Sequence, residues 1–194
     1  MIALPITLTA IGCTTTPGGS ISPLDSPLAP PKKIVQIKPG GGAVDIIGRY
    51  RNEGFSMAPA LDAGEYVFTD NLAYATTQPQ RGDIIRFNRS SGPQLIKRVV
   101  GLPGETIEIR EGKVWIDGRA LDEPYVKQPM SYATPARQIE PDHYFVLGDN
   151  RNNSADSHVW GAISINDIIG RVTFVYYPFT HMRVISRPTY APTK

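Results

Sequence analysis

Short runs of β-branched and aromatic residues alternate with turn-forming residues along most of the chain beyond Lys32. These runs have the composition of β-strands, because such side chains favour a pleated backbone, whereas Gly, Pro, Asn and Asp interrupt it. No run keeps the period of an amphipathic helix for three turns. Two pairs, Glu111-Gly112 and Asp117-Gly118, are typical of hairpin turns. The pattern therefore predicts a mainly β, antiparallel domain with strands in "EYVFTDNLAY", "GDIIRFN", "QLIKRVVGL", "TIEIREGKVWIDG" and "HYFVLGD".

The first 31 residues have a different character, and we expect the folded domain to comprise residues 32–194. Residues 2–11 form a mostly apolar run that a proline interrupts and that is shorter than the ~20 residues needed to span a bilayer. "AIGC", which ends at Cys13, resembles the lipobox of bacterial lipoproteins, although the basic segment of an export signal is missing. A truncated anchor helix is the alternative. Residues 14–31 are rich in Thr, Ser, Pro and Gly, which predicts a flexible tether.

Composition excludes several classes of function. The 194-residue chain has 20 basic and 18 acidic residues, and its net charge of +2 is too small for a typical nucleic-acid-binding domain. The single cysteine excludes an internal disulfide, and His143, His158 and His181 are too scattered to indicate a zinc site. We therefore expect no metal, no cofactor and no nucleic-acid partner.

The segment "QLIKRVVGLPGE", residues 94–105, carries two cations within a predicted strand. Alternation places Lys97 on one face and Arg98 on the other, each among apolar neighbours, so at least one charge should be buried. Burial without a counter-ion lowers the pKa of a lysine from about 10.4, and its amine can then act as a base near neutral pH. Alternatively, Lys97 extends its ammonium group to solvent at the edge of a sheet.

A serine in apolar surroundings is a possible partner for such a base. Ser56 lies between Phe55 and Met57 in "GFSMAPAL", and a serine hydroxyl becomes an effective nucleophile only when a base accepts its proton. Ser56 and Lys97 together suggest a Ser–Lys dyad. A third segment, "GDNRNNSADSHVWG" at residues 148–161, is rich in turn-forming and hydrogen-bonding side chains; it is either a solvated loop or part of the same site.

In this order, the three segments resemble the signature boxes of the type I signal peptidases, membrane-bound serine proteases that remove signal peptides from exported proteins. "GFSMAPAL" resembles the nucleophile box, "RGDIIRFN" with "IKRVVGLPGE" the general-base region, and "GDNRNNSADSHVWG" the last signature. The likeness extends over residues 44–177, and "SHVWG" is similar to the cyanobacterial and plastid branch. The resemblance implies a partly open, barrel-like arrangement of antiparallel sheets with few short helices.

The resemblance also implies a role for each matching residue. Ser56 corresponds to the nucleophile and Lys97 to the general base. Ser154 corresponds to a serine that orients the lysine amine, and Asp156 corresponds to a structural acid. Shallow pockets for small substrate side chains, Ala at positions −1 and −3, are expected to be lined by Met57, Leu95 and Ile96.

Two positions depart from the pattern of the family. Many members read "DSR" where this chain reads "DSH", so Asp156 is expected to bind either His158 or another cation such as Arg98. Some members have a serine that helps to bind the oxyanion where this chain has Gly54, and losing one such donor can cost ~3 kcal/mol of transition-state stabilisation. We therefore expect the oxyanion hole to use the backbone N–H of Ser56 and a compensating donor.

Partners and location follow from the same resemblance. The substrates would be preproteins that carry signal peptides and bind as an added strand near Ser56 and Lys97. The catalytic domain would be membrane-associated, contact lipid and lie on the extracytoplasmic side. Two alternatives are a self-cleaving Ser–Lys repressor, for which the 31-residue leader leaves no room for a DNA-binding domain, and a catalytically degenerate envelope domain that binds peptides.

Overall fold

The computed structural model describes residues 35–37, 43–89 and 92–190. The strands in these residues are β1 Val35–Ile37, β2 Ala43–Asp45, β3 Ile47–Arg51, β4 Tyr66–Asp70, β5 Ile84–Phe87, β6 Leu95–Gly101, β7 Thr106–Arg110, β8 Lys113–Ile116, β9 Arg119–Ala120, β10 Thr134–Gln138, β11 His143–Leu147, β12 Ile163–Ser164, β13 Ile168–Tyr177 and β14 Arg183–Val184. The helices of the same residues are α1 Ser157–Trp160 and three 3₁₀ turns, Arg151–Asn153, Ile165–Asp167 and Phe179–His181. The prediction of a mainly β domain with few short helices is confirmed. The leader and tether predicted for residues 1–31 lie outside the described residues, and the boundary at Lys32 stays a prediction.

The strands form antiparallel sheets of two, four and eight strands. The large sheet has the order β12-β11-β6-β5-β13-β4-β3, with β14 beside β13. The four-stranded sheet has the order β10-β7-β8-β9, and β1 pairs with β2. The large sheet curls into a half-barrel whose edges are β12 and β3, so the expected partly open, barrel-like arrangement is confirmed.

Both predicted hairpin turns are present. Glu111 and Gly112 join β7 to β8 with φ values of 53° and 72°, and Asp117 and Gly118 join β8 to β9 with 50° and 75°. Left-handed values at both central positions belong to a type I′ turn, which matches the twist of the flanking strands. All five segments predicted to contain strands do so. The longest strand, β13, was missed, although "IIGRVTFVYY" has a strand-like composition.

In the part of the chain that the structure describes, no helix has both the length and the hydrophobicity that crossing a bilayer requires.

Candidate active site

Ser56 lies in the loop between β3 and β4, and buried residues fix the shape of this loop. The side chain of Asn52 donates hydrogen bonds to the carbonyl oxygens of Gly54 and Asp62, at 3.1 and 2.9 Å. Met57, which directly follows the serine, is fully buried in a core cluster between the loop and the large sheet. Because the next side chain is anchored in the core, the position of Ser56 is restricted.

Lys97 lies within β6, which pairs with β5 on one side and β11 on the other. Its Nζ is 2.6 Å from Oγ of Ser56, a hydrogen-bonding distance. Lys97 and Arg98 are each only 3% exposed, so the prediction that this strand carries a buried charge is confirmed. The alternative, in which Lys97 reaches solvent at a sheet edge, is wrong because β6 lies inside the sheet.

The surroundings of Lys97 favour the uncharged amine. Burial lowers the pKa of Lys97, because the ammonium ion loses its hydration there. The negative charges of Asp156 and Asp149 act in the opposite direction, but their effect is smaller. An uncharged amine at 2.6 Å can accept the proton of the Ser56 hydroxyl, which is the geometry of a general base beside a nucleophile.

The segment that follows β11 contacts the Ser56 loop directly. The backbone N–H of Asn150 donates to the carbonyl oxygen of Ser56 at 3.0 Å, and its side-chain amide donates to that of Phe55 at 3.2 Å. A Cβ atom added at Gly148 would lie 2.4 Å from the carbonyl oxygen of Ser56 and 2.3 Å from Oγ of Ser154. Such distances leave no room for a side chain, so a glycine is needed for this close approach. The fold thus brings all three predicted segments together.

Asp156 is fully buried at the N-terminal end of α1. One carboxylate oxygen accepts a hydrogen bond from the backbone N–H of Gly148 at 2.9 Å. The other accepts from the backbone N–H of His158 at 3.3 Å and lies 2.7 Å from Nδ1 of the same residue. Of the two partners expected for Asp156, His158 is therefore the one that binds it. Arg98 instead donates to both carboxylate oxygens of Asp149, at 2.8 and 2.6 Å.

Ser154 and Gly54 lie beside the dyad without completing the interactions expected of them. The buried Oγ of Ser154 has no hydrogen-bond partner among the described residues, so its orienting contact with Lys97 stays a prediction. A Cβ atom added at Gly54 would meet the backbone nitrogen of Ser56 at 4.0 Å. Gly54 therefore lies beside the N–H expected to bind the oxyanion, and a larger side chain would fit there.

The residues expected to line the substrate pocket are mostly internal. Met57 is completely buried and Ile96 is 4% exposed, and both belong to the same core cluster. Leu95 is partly buried and packs against a second cluster. Met57 and Ile96 therefore lie below the surface and can form only the floor of a pocket; their contact with substrate stays a prediction.

Sequence reasoning missed a group of charged side chains that holds the 148–161 segment in place. Arg151 donates to both carboxylate oxygens of Glu123, at 2.7 and 2.5 Å. The ring of Tyr125 lies 4.2 Å from the guanidinium carbon of Arg98 and 6.0 Å from that of Arg151. The two opposite charges in "GDNR", Asp149 and Arg151, were a local signal for this group. The sequence around Glu123 and Tyr125 gives no such signal.

One group of side chains among the described residues has the spacing of a metal site. Ligand atoms of Asp62, Glu65 and His181 lie within 4.8 Å of one another. Arg183, however, donates to both carboxylate oxygens of Glu65 at 2.7 Å, and its positive charge opposes a cation at this position. We therefore assign this group a structural role.

Comparisons with known proteins agree with the geometry. The signal peptidase, peptidase S26 family matches residues 43–177. The probable signal peptidase I-1 of Synechocystis sp. is 38% identical over 148 residues, 72% of this chain and 76% of the relative. The signal peptidase I of Leptolyngbya laminosa is 38% identical over 142 residues, 69% of this chain and 70% of the relative.

A plastid protein is also similar. The thylakoidal processing peptidase 1 of Arabidopsis thaliana is 37% identical over 135 residues, 63% of this chain and 40% of the relative. The predicted likeness to the cyanobacterial and plastid branch is thus confirmed. Since the family match includes all three signature segments and more than half of the sequence, this chain belongs to the signal peptidase family, peptidase S26.

Proposed function

We propose that this protein is a serine endopeptidase that removes signal peptides from exported preproteins, with Ser56 as nucleophile and Lys97 as general base. The observation that carries the proposal is the 2.6 Å distance between Oγ of Ser56 and Nζ of a lysine that is 3% exposed. A charged lysine at the surface could not accept a proton, whereas a buried amine with a lowered pKa can.

The reaction proceeds through an acyl-enzyme. Lys97 accepts the hydroxyl proton while Oγ of Ser56 bonds to the scissile carbonyl carbon, and the carbonyl electrons move to the oxygen. When this intermediate collapses, the C–N bond breaks and the Lys97 ammonium group gives its proton to the amine of the departing mature protein. A water molecule then attacks the carbonyl carbon of the acyl-enzyme ester while Lys97 accepts its proton. The bond between that carbon and Oγ of Ser56 breaks, the Lys97 ammonium group returns the proton to Oγ, and the signal peptide leaves with a new carboxyl group.

Neighbouring residues would support these steps. The backbone N–H of Ser56 would donate to the oxyanion, and Gly54 would leave space for a further donor from the protein or the substrate. Ser154 would orient the lysine amine during turnover. Asp156 would hold Gly148, and through it the segment that binds the backbone of Ser56.

The catalytic domain would work at a membrane, on its extracytoplasmic side. Phe55, next to the nucleophile, is 64% exposed, and an apolar side chain there is suited to an apolar signal peptide or to lipid. Further exposed apolar residues, Phe179, Met182 and Val184, lie at and near β14. Retention of the protein on liposomes would test the proposed contact with a membrane.

Cleavage of a peptide with Ala at positions −1 and −3 tests the activity. The protein should cut after the −1 residue, and Ser56→Ala should not cut at all. Ser186→Ala, which removes an exposed hydroxyl outside the site, is the matched control and should behave as the unchanged protein. Equal peptide turnover by the Ser56→Ala variant would refute the proposed nucleophile, and binding without cleavage would favour a degenerate peptide-binding domain.

A further inference from the structure

His158 lies between two side chains that fix its ring. Its Nδ1 is 2.7 Å from a carboxylate oxygen of Asp156, which is completely buried. The imidazole also stacks on the ring of Tyr132, with 3.9 Å between the ring centroids and 18° between the planes. The side chain of His158 is 19% exposed, so the ring can exchange protons with solvent while both contacts are kept.

Asp156 connects this imidazole to the dyad in two ways. Its second carboxylate oxygen accepts from the backbone N–H of Gly148, which packs against the carbonyl oxygen of Ser56. Its negative charge also acts on Lys97 and raises the pKa of the lysine, against the larger effect of burial. The charge of a side chain that faces Asp156 therefore alters how far this carboxylate raises the pKa of Lys97.

The other charged groups near the two stacked rings include an ion pair of opposite charges. Tyr132, from the segment between β9 and β10, is affected by the charges of Asp156, Arg151 and Glu123. Arg151 and Glu123 bind each other through two hydrogen bonds, so their fields oppose one another at the ring. Among the described residues, the Asp156 carboxylate is the charge that the imidazole contacts directly.

We infer that His158 is a positioning residue whose charge, acting through Asp156, sets the pH range in which Lys97 works as a base. A neutral imidazole leaves the carboxylate charge uncompensated, and Lys97 then holds its proton more strongly. An imidazolium compensates that charge, so a larger fraction of Lys97 is neutral at the same pH.

This inference rests on the proposed function, and variants of fixed charge test it. We would measure kcat/KM for the model cleavage-site peptide against pH with His158→Gln, which is always neutral, and His158→Arg, which is always charged. The acid-side midpoint should lie about 0.5–1 pH unit lower for the arginine variant. Tyr132→Phe keeps the stacked ring and should leave the midpoint unchanged.

Equal midpoints in folded samples of the two His158 variants would overturn the inference, even if both variants were slow. A merely structural role lowers the rate at every pH and does not move the midpoint. An independent readout is the pH titration of the ¹³Cε resonance of Lys97 in Ser56→Ala protein, with Lys97→Arg used to assign the resonance. The midpoint of this titration should also be lower with His158→Arg than with His158→Gln. If that titration moved but the unchanged protein cut no peptide, the proposed function would fail while the electrostatic link between His158 and Lys97 stood.

Discussion

Replacing Arg98 with alanine should strongly destabilise the domain, because the carboxylate of Asp149 would stay buried without its partner. The two side chains are 4% and 0% exposed. Arg98 donates two hydrogen bonds to Asp149, at 2.8 and 2.6 Å, and a third to the carbonyl oxygen of Gly82 at 2.8 Å. Burial by itself lowers the pKa of Arg98, but its bonds to Asp149 outweigh that effect and raise it, so Arg98 stays charged.

The expected loss is a large part of the stability of such a domain. Removing one partner of a buried ion pair costs about 3–5 kcal/mol, and a whole domain is typically stable by only about 5–15 kcal/mol. With a urea dependence of about 2 kcal/mol per M, the unfolding midpoint should fall by about 2 M. Peptide cleavage should also fall, because Gly148 and Asn150, on either side of Asp149, contact the backbone of Ser56.

Urea unfolding followed by tryptophan fluorescence measures this loss. Arg51→Ala is the matched control, because its ion pair with Glu53 is 52% and 74% exposed and should contribute less than about 1 kcal/mol. The double variant Arg98→Met with Asp149→Leu should recover most of the stability, since it removes both charges.

The loss should also depend on pH. Burial raises the pKa of Asp149 even though Arg98 beside it acts in the opposite direction. Removing Arg98 removes that opposing effect, so the carboxyl group takes up a proton more readily as the pH falls. The deficit of Arg98→Ala should therefore shrink as the pH falls and the buried carboxyl group takes up a proton, and it should grow again as the pH rises and the group ionises. A single variant that lost less than about 1 kcal/mol, or a double variant as unstable as the single one, would refute this account of the pair.

Four further predictions concern the dyad, its support and the domain boundary. The rate of peptide cleavage should rise from acid to alkaline pH along a sigmoid, since only neutral Lys97 accepts a proton. Lys97→Arg should be inactive because a guanidinium group stays charged, and an active arginine variant would exclude the dyad. Ser154→Ala should slow turnover in the same assay, whereas Ser56→Ala abolishes it, and complete loss in both folded variants would mean that the roles are misassigned. Gly148→Ala should lower both kcat and the thermal unfolding temperature, because its Cβ would lie 2.4 Å from a backbone oxygen; unchanged values would mean that the loop yields without cost. A fragment beginning at Lys32 should fold and cleave a soluble peptide but lose most of its membrane association. Thermal unfolding, peptide cleavage and liposome co-sedimentation would each be compared with the whole chain, and an unfolded or inert fragment would contradict the boundary.

Local patterns in the sequence were sufficient for the five segments predicted to contain strands, for both hairpins and for the buried charge on β6, but not for β13. Side chains in a strand alternate every two residues, and hairpin turns with positive φ favour a polar residue followed by Gly. Both features are therefore visible within a few positions of the sequence. The apolar neighbours of Lys97 indicated its burial in the same local way. The family was predictable because three characteristic segments occur in order, and not because any one of them is decisive.

Tertiary structure alone decided which charges pair. Asp149 and Asp156 lie in one polar segment, and the sequence left both His158 and Arg98 open as partners of Asp156. The pairing of β6 with β11 brings Arg98 to Asp149, 51 positions away, while α1 turns the ring of His158 back to Asp156. A buried ion pair is stable only when its two charged groups come within a few ångströms of each other, because an unpaired buried charge keeps its full desolvation cost. That distance is set by long-range strand pairing, which the periodicity of a single segment does not encode.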